Sequence, residues 1–251
     1  VWFTAQLIGF GAIALAYLAA LSLRGTAAFV CAGIAMAAAL TTRNHLVLVG
    51  VWPAIFLLVQ HWHEGWRRVL GYVLAGLLPV VIAIGLLAWY NAARFGSPTD
   101  NGLAYHQMSE FFRADYEQYG AFNLHYLPTN LYYQYVFYPL PITWETPLGG
   151  SLFLLSPVFF GALWGVVAGK PRWSTTMLML SVLLPAVPIL LLMGTGWQQW
   201  GPRYTLDFTV PLLLLTAIGI KRWPRAVLLL LTLIGIVHYA IGTAWLSTIV
   251  G

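Results

Sequence analysis

Long apolar runs, interrupted only by short polar turns, decide what this chain can become. Runs at about 3–23, 69–90, 151–169, 174–193, 205–220 and 226–247 carry almost no charge. Each approaches the roughly 20 residues that an α-helix needs to cross a hydrocarbon core about 30 Å thick. The stretch 26–60 is too long for one such helix, and Thr41-Thr42-Arg43-Asn44-His45 lies near its middle. An arginine held at the centre of a bilayer costs at least about 2–3 kcal/mol. Two short helices meeting at that polar turn avoid the cost. The expected fold class is therefore all-α: a polytopic transmembrane helix bundle of about eight membrane segments, with residues 1–251 forming a single transmembrane domain.

Composition removes the competing classes. Only 8% of the 251 residues are charged and 60% are hydrophobic, whereas a soluble domain carries about 25% charged residues. So few polar groups cannot cover a water-facing surface. The net charge of +5 is explained by membrane topology, and no nucleic-acid partner is expected. The single cysteine, Cys31, lies inside an apolar run and reads as a packing residue. The chain begins VWFTAQLIGF, with neither a methionine nor a basic leader segment. It reads as the later part of a longer protein.

Orientation follows from lysine and arginine in the short connections. With the first segment running inward, one side receives Arg24, Arg67, Arg68, Lys170, Arg172, Lys221, Arg222 and Arg225. The other receives Arg43, Arg94, Arg113 and Arg203. Eight against four makes the first side cytoplasmic, in a plasma or inner membrane. Of the acidic residues only Glu64 falls on that side; Asp100, Glu110, Asp115, Glu117, Glu145 and Asp207 fall on the other. The extracytoplasmic face also holds the one long loop, about 91–150, which is rich in tyrosine and phenylalanine. Residues 103–119 and 130–138 read as interfacial helices, the second closed by Pro139 and Pro141.

The polar residues worth weighing gather at that outer face. Gly194–Phe208, GTGWQQWGPRYTLDF, sits between two apolar runs. Arg203 has two readings: an arginine snorkelling at a helix end and neutralised by Asp207, or an anion contact. For the second, Gly201-Pro202 would open a helix near Leu206, and a guanidinium beside a helix N-terminus suits phosphate. Arg43 is either part of a polar turn that satisfies helix ends or a further phosphate or sugar contact. Arg94, in WYNAARFGSPTDNG, either opposes the macrodipole at a helix C-terminus or joins the same site; Asp100 reads as a turn residue. His61 and His63 flank Trp62 and read as interface residues, His106 and His125 stay unassigned, and His238 reads as a satisfied packing residue. No metal-ligand, phosphate-loop or nucleophile-elbow spacing occurs. No cofactor is expected, and a divalent ion stays open.

Three segments together resemble a known family: TTRNH, then YNAARFGSPTDNGLAYH followed by NLHYLPTNLYY, then GWQQWGPRYTLDFTVPLL. The chain looks like the later half of a bacterial integral-membrane glycosyltransferase of the GT-C fold. The nearest group is that of protein O-mannosyltransferases and aminoarabinose transferases, family 39. The resemblance implies transfer of a sugar from a polyprenyl-phosphate donor to an extracytoplasmic acceptor of unstated kind. It implies Arg203 as the first contact to the donor phosphate, with Arg43 and Arg94 as further contacts. Tyr204, Trp197 and Gln198 would line the sugar or tail pocket. In that family the carboxylate that activates the acceptor lies in an early outer loop, which has no counterpart here. No catalytic residue is therefore assigned, and this chain alone is expected to be inactive. The alternative class is a transporter or flippase of lipid-linked sugars, which needs ionisable residues within its spans; a third is a membrane scaffold binding partners through the aromatic loop.

Overall fold

A computed structural model describes residues 2–100, 102, 105, 110–167, 172–196 and 198–250. Among these the chain is helical and no strand forms; one isolated bridge joins Phe122 to Leu192. Among the described residues seven helices are long and apolar enough to cross a membrane: Phe3–Ser22, Gly25–Thr42, Asn44–Glu64, Trp66–Phe95, Trp173–Leu191, Arg203–Arg222 and Arg225–Ile249. The protein is a multi-pass membrane helix bundle. The helices sort into two compact units, Val1–Met108 with Thr176–Pro185, and Ser109–Thr175 with Ala186–Gly251.

The first unit contains α1 (Trp2–Ser22), α2 (Gly25–Thr42), α3 (Val51–His61) and α4 (Trp66–Phe95). Helix α2 packs against both α1 and α4. The approach to α4 is backbone on backbone: a Cβ on Gly33 would fall on the carbonyl of Gly76. Small residues let helices close in this way where no hydrophobic driving force separates lipid from protein. Ala19, Ala20, Ala28, Phe29, Ala32 and Leu57 make one core cluster. Tyr17 stacks on Trp52 at 5.2 Å and donates its hydroxyl to Val49 O at 2.9 Å, while the Trp52 backbone N–H donates to Ser181 Oγ at 2.9 Å.

The expected break at 41–45 is present. Helix α2 ends at Thr42, Arg43 is extended, and a 3₁₀ stretch, Asn44–Gly50, leads into α3. Three expectations need correction. The flanking helices are not short, since Gly25–Thr42 has 18 residues and Asn44–Glu64 has 21. Cys31 is exposed rather than packed. His61, expected at an interface, is also different: it is buried, and its ring meets Gly25, Leu57, Phe29 and Tyr72. Helix α4 spans 30 residues, longer than the apolar run alone, and stops where Gly96 takes the left-handed conformation (φ 80°) and returns its N–H to Ala92 O.

The second unit contains α5 (Glu110–Tyr119), α6 (Leu127–Leu131), α7 (Leu152–Leu155), α8 (Phe160–Val167), α10 (Thr209–Gly219) and α11 (Arg225–Val250). Helix α9 (Trp173–Leu191) gives residues 176–185 to the first unit and its ends to the second. The apolar run 151–169 does not form one helix. Ser156-Pro157 interrupts it with a 3₁₀ turn, and the apolar helix Pro157–Val167 is 11 residues long, about half a bilayer at roughly 1.5 Å per residue. The run still descends beside the 201–220 segment in the same direction. Gly150 adjoins Gly201 at one end, and Gly161 and Gly165 adjoin Thr216 and Gly219 at the other. A Cβ on Gly219 would fall on Gly161 O, so α8 and α10 also meet at their backbones. Residues 110–119 form the expected helix α5; most of 103–109, including His106, lies outside the described residues. The stretch 130–138 is helical but starts earlier, at Leu127, and passes through a π-turn at Tyr132–Val136. It buries Asn130 and Gln134 instead of lying only on the surface.

Candidate functional site

The polar lip, residues 193–208, is held by the 120–151 stretch of its own unit. Helix α9 ends with carbonyls that no intrahelical donor reaches. The buried Asn130 amide donates to Leu190 O at 2.9 Å and Leu192 O at 2.8 Å. The Asn123 N–H donates to Leu191 O, and the Met193 N–H to Ala121 O, both at 2.9 Å. Gly194 then turns with φ 75° directly beneath the Phe112 ring of α5, where a Cβ would meet Phe112 Cε1 at 2.7 Å.

The two glutamines of WQQW separate by backbone conformation. Gln198 has φ 51°, a positive value found at no other non-glycine residue among those described, and its side chain is exposed. That turn drives Gln199 inward. Its amide nitrogen donates to Leu148 O and to Thr195 O, each at 2.9 Å, and its backbone N–H donates to Pro147 O at 3.2 Å. An amide NH₂ has two hydrogens, so both carbonyls are served. The same turn, 147–151, is pinned on its other side. The Gly150 N–H donates to Tyr133 O at 3.0 Å, and the Ser151 hydroxyl donates to Tyr135 O at 2.6 Å while capping α7 through the Leu154 N–H. Trp200 is buried against Gly242 and lies 5.8 Å from the Trp245 ring.

Arg203 and Tyr204 stand together on this platform. Both are half-buried, and the guanidinium lies 5.2 Å from the Tyr204 ring centre, within the range of a cation–π contact. The expected α-helix does not begin at Leu206. A 3₁₀ stretch runs Arg203–Phe208, started by the Thr205 hydroxyl and N–H donating to Pro202 O at 2.7 and 2.9 Å, and α10 opens at Thr209. Arg203 therefore precedes the α-helix by six residues and does not sit at its N-terminus. Asp207 is buried, with 1% of its surface exposed.

The other expected contacts fall as follows. Gln198 is on the lip, and Trp197 lies outside the described residues. Arg43 and Arg94 belong to the first unit. Arg43 is half-buried in the extended turn, where the Thr41 and Thr42 hydroxyls donate to Ala38 O and Ala39 O at 2.8 and 2.7 Å. Arg94 is exposed in the last turn of α4; it donates to the Tyr90 hydroxyl and lies 5.2 Å over the Phe95 ring. Asp100 is a turn residue, accepting from the Gly102 N–H at 2.8 Å. His238 is satisfied, at 2.9 Å from the Tyr138 hydroxyl and 3.3 Å from Leu155 O. Among the described residues no group of three or more His, Cys, Asp or Glu could hold a metal ion.

Four polar residues beside the lip were not singled out by the sequence as site residues: Gln199, Asn130, and the paired Tyr133 and Glu145. The Tyr133 hydroxyl donates to Glu145 at 2.8 Å. Burial, with the nearby carboxylate second, pushes the Tyr133 phenol up to about 12, and burial alone pushes Tyr135 to about 12. Asn130 and Glu145 were masked by the aromatic content of the tyrosine-rich stretch around them, and Gln199 stood only as the second glutamine of WQQW. The platform offers one half-buried cation, aromatic faces and a rigid backbone at the end of apolar helices, a combination suited to an amphipathic anion. No family model, curated protein or solved structure matches the chain.

Proposed function

We propose that the chain is part of a membrane glycosyltransferase that takes a sugar from a polyprenyl-phosphate donor and passes it to an acceptor at the extracytoplasmic face. The observation that carries the reading is Arg203: a half-buried guanidinium over the Tyr204 ring, at the end of two apolar helices, on a turn fixed by Gln199. A lipid-linked sugar phosphate has the matching parts. Its tail belongs in hydrocarbon, its phosphate needs a cation at headgroup level, and its sugar ring needs aromatic and amide surfaces. In the transfer, the acceptor oxygen bonds to the anomeric carbon as the bond from that carbon to phosphate oxygen breaks. The electron pair leaves on the phosphate, and the acceptor proton passes to a base. Negative charge grows on the leaving phosphate, where a preorganised guanidinium stabilises it. Arg203 fills that role here; the base is not among the residues assigned.

The excess of arginine and lysine on the opposite connections supports placing this lip outside the cytoplasm. The test uses the full-length native gene product in membranes. Arg203→Ala and Arg203→Lys are compared for release of polyprenyl phosphate from a radiolabelled lipid-phosphate sugar, at matched protein level. Loss in the alanine variant with partial recovery in the lysine variant supports the reading. Unchanged release in both removes Arg203 from the site.

A further inference from the structure

At one end of the first unit two turns meet: Arg24-Gly25, between α1 and α2, and His61–Arg68, between α3 and α4. Their adjacency is fixed by bonds. The Gly25 N–H donates to His61 Nε2 at 2.9 Å, and a Cβ on Gly25 would lie 3.6 Å from the Tyr72 hydroxyl. That hydroxyl donates to Glu64 at 2.9 Å, and Glu64 pairs with Arg68 at 3.5 Å. Three arginines, Arg24, Arg67 and Arg68, thus lie on these two adjoining turns, and all three are exposed. Arg24 and Arg67 form no ion pair among the described residues. The guanidinium of Arg67 lies 5.4 Å over the ring of Trp66, and Trp62 and Trp66 are 67% and 65% exposed.

We propose that this corner is a binding site for the phosphate headgroup of an anionic phospholipid. Depth selects the partner. The arginines, tryptophans and Glu64 lie where candidate spans end or begin, Phe3–Ser22 against Gly25–Thr42 and Asn44–Glu64 against Trp66–Phe95, which is the headgroup level of a bilayer. Tryptophan prefers that level, with its ring in the acyl boundary and its N–H toward water. Guanidinium groups bind phosphate oxygens through paired N–H donors, and basic residues near an anionic leaflet are drawn to its surface. Glu64 restrains Arg68, and Arg24 and Arg67, which pair with no carboxylate among the described residues, supply the two phosphate contacts. Trp62 and Trp66 flank the lipid's upper chain.

The measurement is lipid retention by the intact protein, purified from detergent and reconstituted in nanodiscs of phosphatidylcholine with a minority of phosphatidylglycerol. Bound lipid is counted by native mass spectrometry after release. The proposal expects selective retention of phosphatidylglycerol, reduced several-fold by Arg24→Gln with Arg67→Gln. A charge-matched control, Lys221→Gln with Arg222→Gln in the second unit, should leave it unchanged. Equal loss in the control overturns the site in favour of a net-charge effect, and no loss in either overturns it outright. The unmodified protein supplies a check that needs no variant. Retention should weaken as salt rises, and retention indifferent to salt counts against the site. Inorganic phosphate should not displace the lipid at equal concentration; if it does, the tail and the tryptophans play no part and the proposal fails. None of these outcomes bears on Arg203.

Discussion

His61 Nε2 accepts a hydrogen bond from the backbone N–H of Gly25, 36 residues earlier, at 2.9 Å. Its other ring nitrogen, Nδ1, faces Leu57 O at 2.9 Å and must donate there. One buried imidazole therefore ties the first turn of α2 to the last turn of α3, and serves one of the four N–H groups that every helix start leaves open. His61→Leu keeps the volume and strands the Gly25 N–H. A buried unsatisfied donor costs about 1–3 kcal/mol. Thermal unfolding in detergent should show a clear drop in Tm, and an unchanged Tm would mean the bond contributes nothing.

The close helix crossings give a contrast among glycines. Gly33→Ala and Gly219→Ala each place a methyl group on a facing backbone carbonyl, Gly76 O and Gly161 O. Overpacking of this kind costs about 1–3 kcal/mol or more. Gly71 and Gly85 are also helical, but a Cβ there meets nothing within 4 Å. Alanine at those two should be neutral or stabilising by up to about 1 kcal/mol. Folded yield and Tm across the four variants check the pattern; equal loss at all four would contradict it.

Two glutamines should respond in opposite ways to leucine. Gln199 donates to two carbonyls, so Gln199→Leu should loosen the 147–151 turn and lower Tm. Gln134 is 1% exposed, and neither amide atom has a hydrogen-bond partner among the described residues. Gln134→Leu removes a desolvated amide without breaking a bond, and should be neutral or stabilising. A large loss in the Gln134 variant would reveal a partner that its surroundings do not show.

The Tyr133 phenol supplies a pH signature. Its folded value is raised from the ordinary 10.0 to about 12, chiefly by burial and then by Glu145. A raised folded value means that the contribution is complete below the unfolded value and is lost as pH rises through the folded one. The contribution of Tyr133 to stability should therefore be flat below pH 10 and fall between about 10 and 12. Phenolate absorbance followed against pH should contain a late component that Tyr133→Phe reduces; the same late component in the phenylalanine variant would assign it elsewhere.

The membrane spans were legible because apolar length is a property of sequence alone. The Arg43 turn was legible for the same reason, since an arginine between apolar runs has few places to go. The interruption at Ser156-Pro157 was not, because its neighbours on both sides are apolar and the run looks continuous. Nor were the Gly33–Gly76 and Gly161–Gly219 crossings. Glycine and alanine are common throughout these helices, and only tertiary contact distinguishes a glycine at a crossing from one facing lipid. At the lip, WQQW announces two equivalent glutamines. The positive φ at Gln198 makes the second structural and leaves the first exposed, and that sign is set by the surrounding turn.

The π-turn at Tyr132–Val136 is closed by the Phe137 N–H donating back to Tyr132 O at 2.8 Å. It holds one residue more per turn than the helix leading into it. Removing any single residue there would let an ordinary α-helix form with no bond lost. The helical phase would nevertheless shift by about 100°, rotating Asn130 away from the end of α9 or carrying Tyr133, Tyr135 and Phe137 off the 149–151 turn. The segment should therefore accept substitutions far more readily than a change in its length, and in related chains its residue count is the feature to compare.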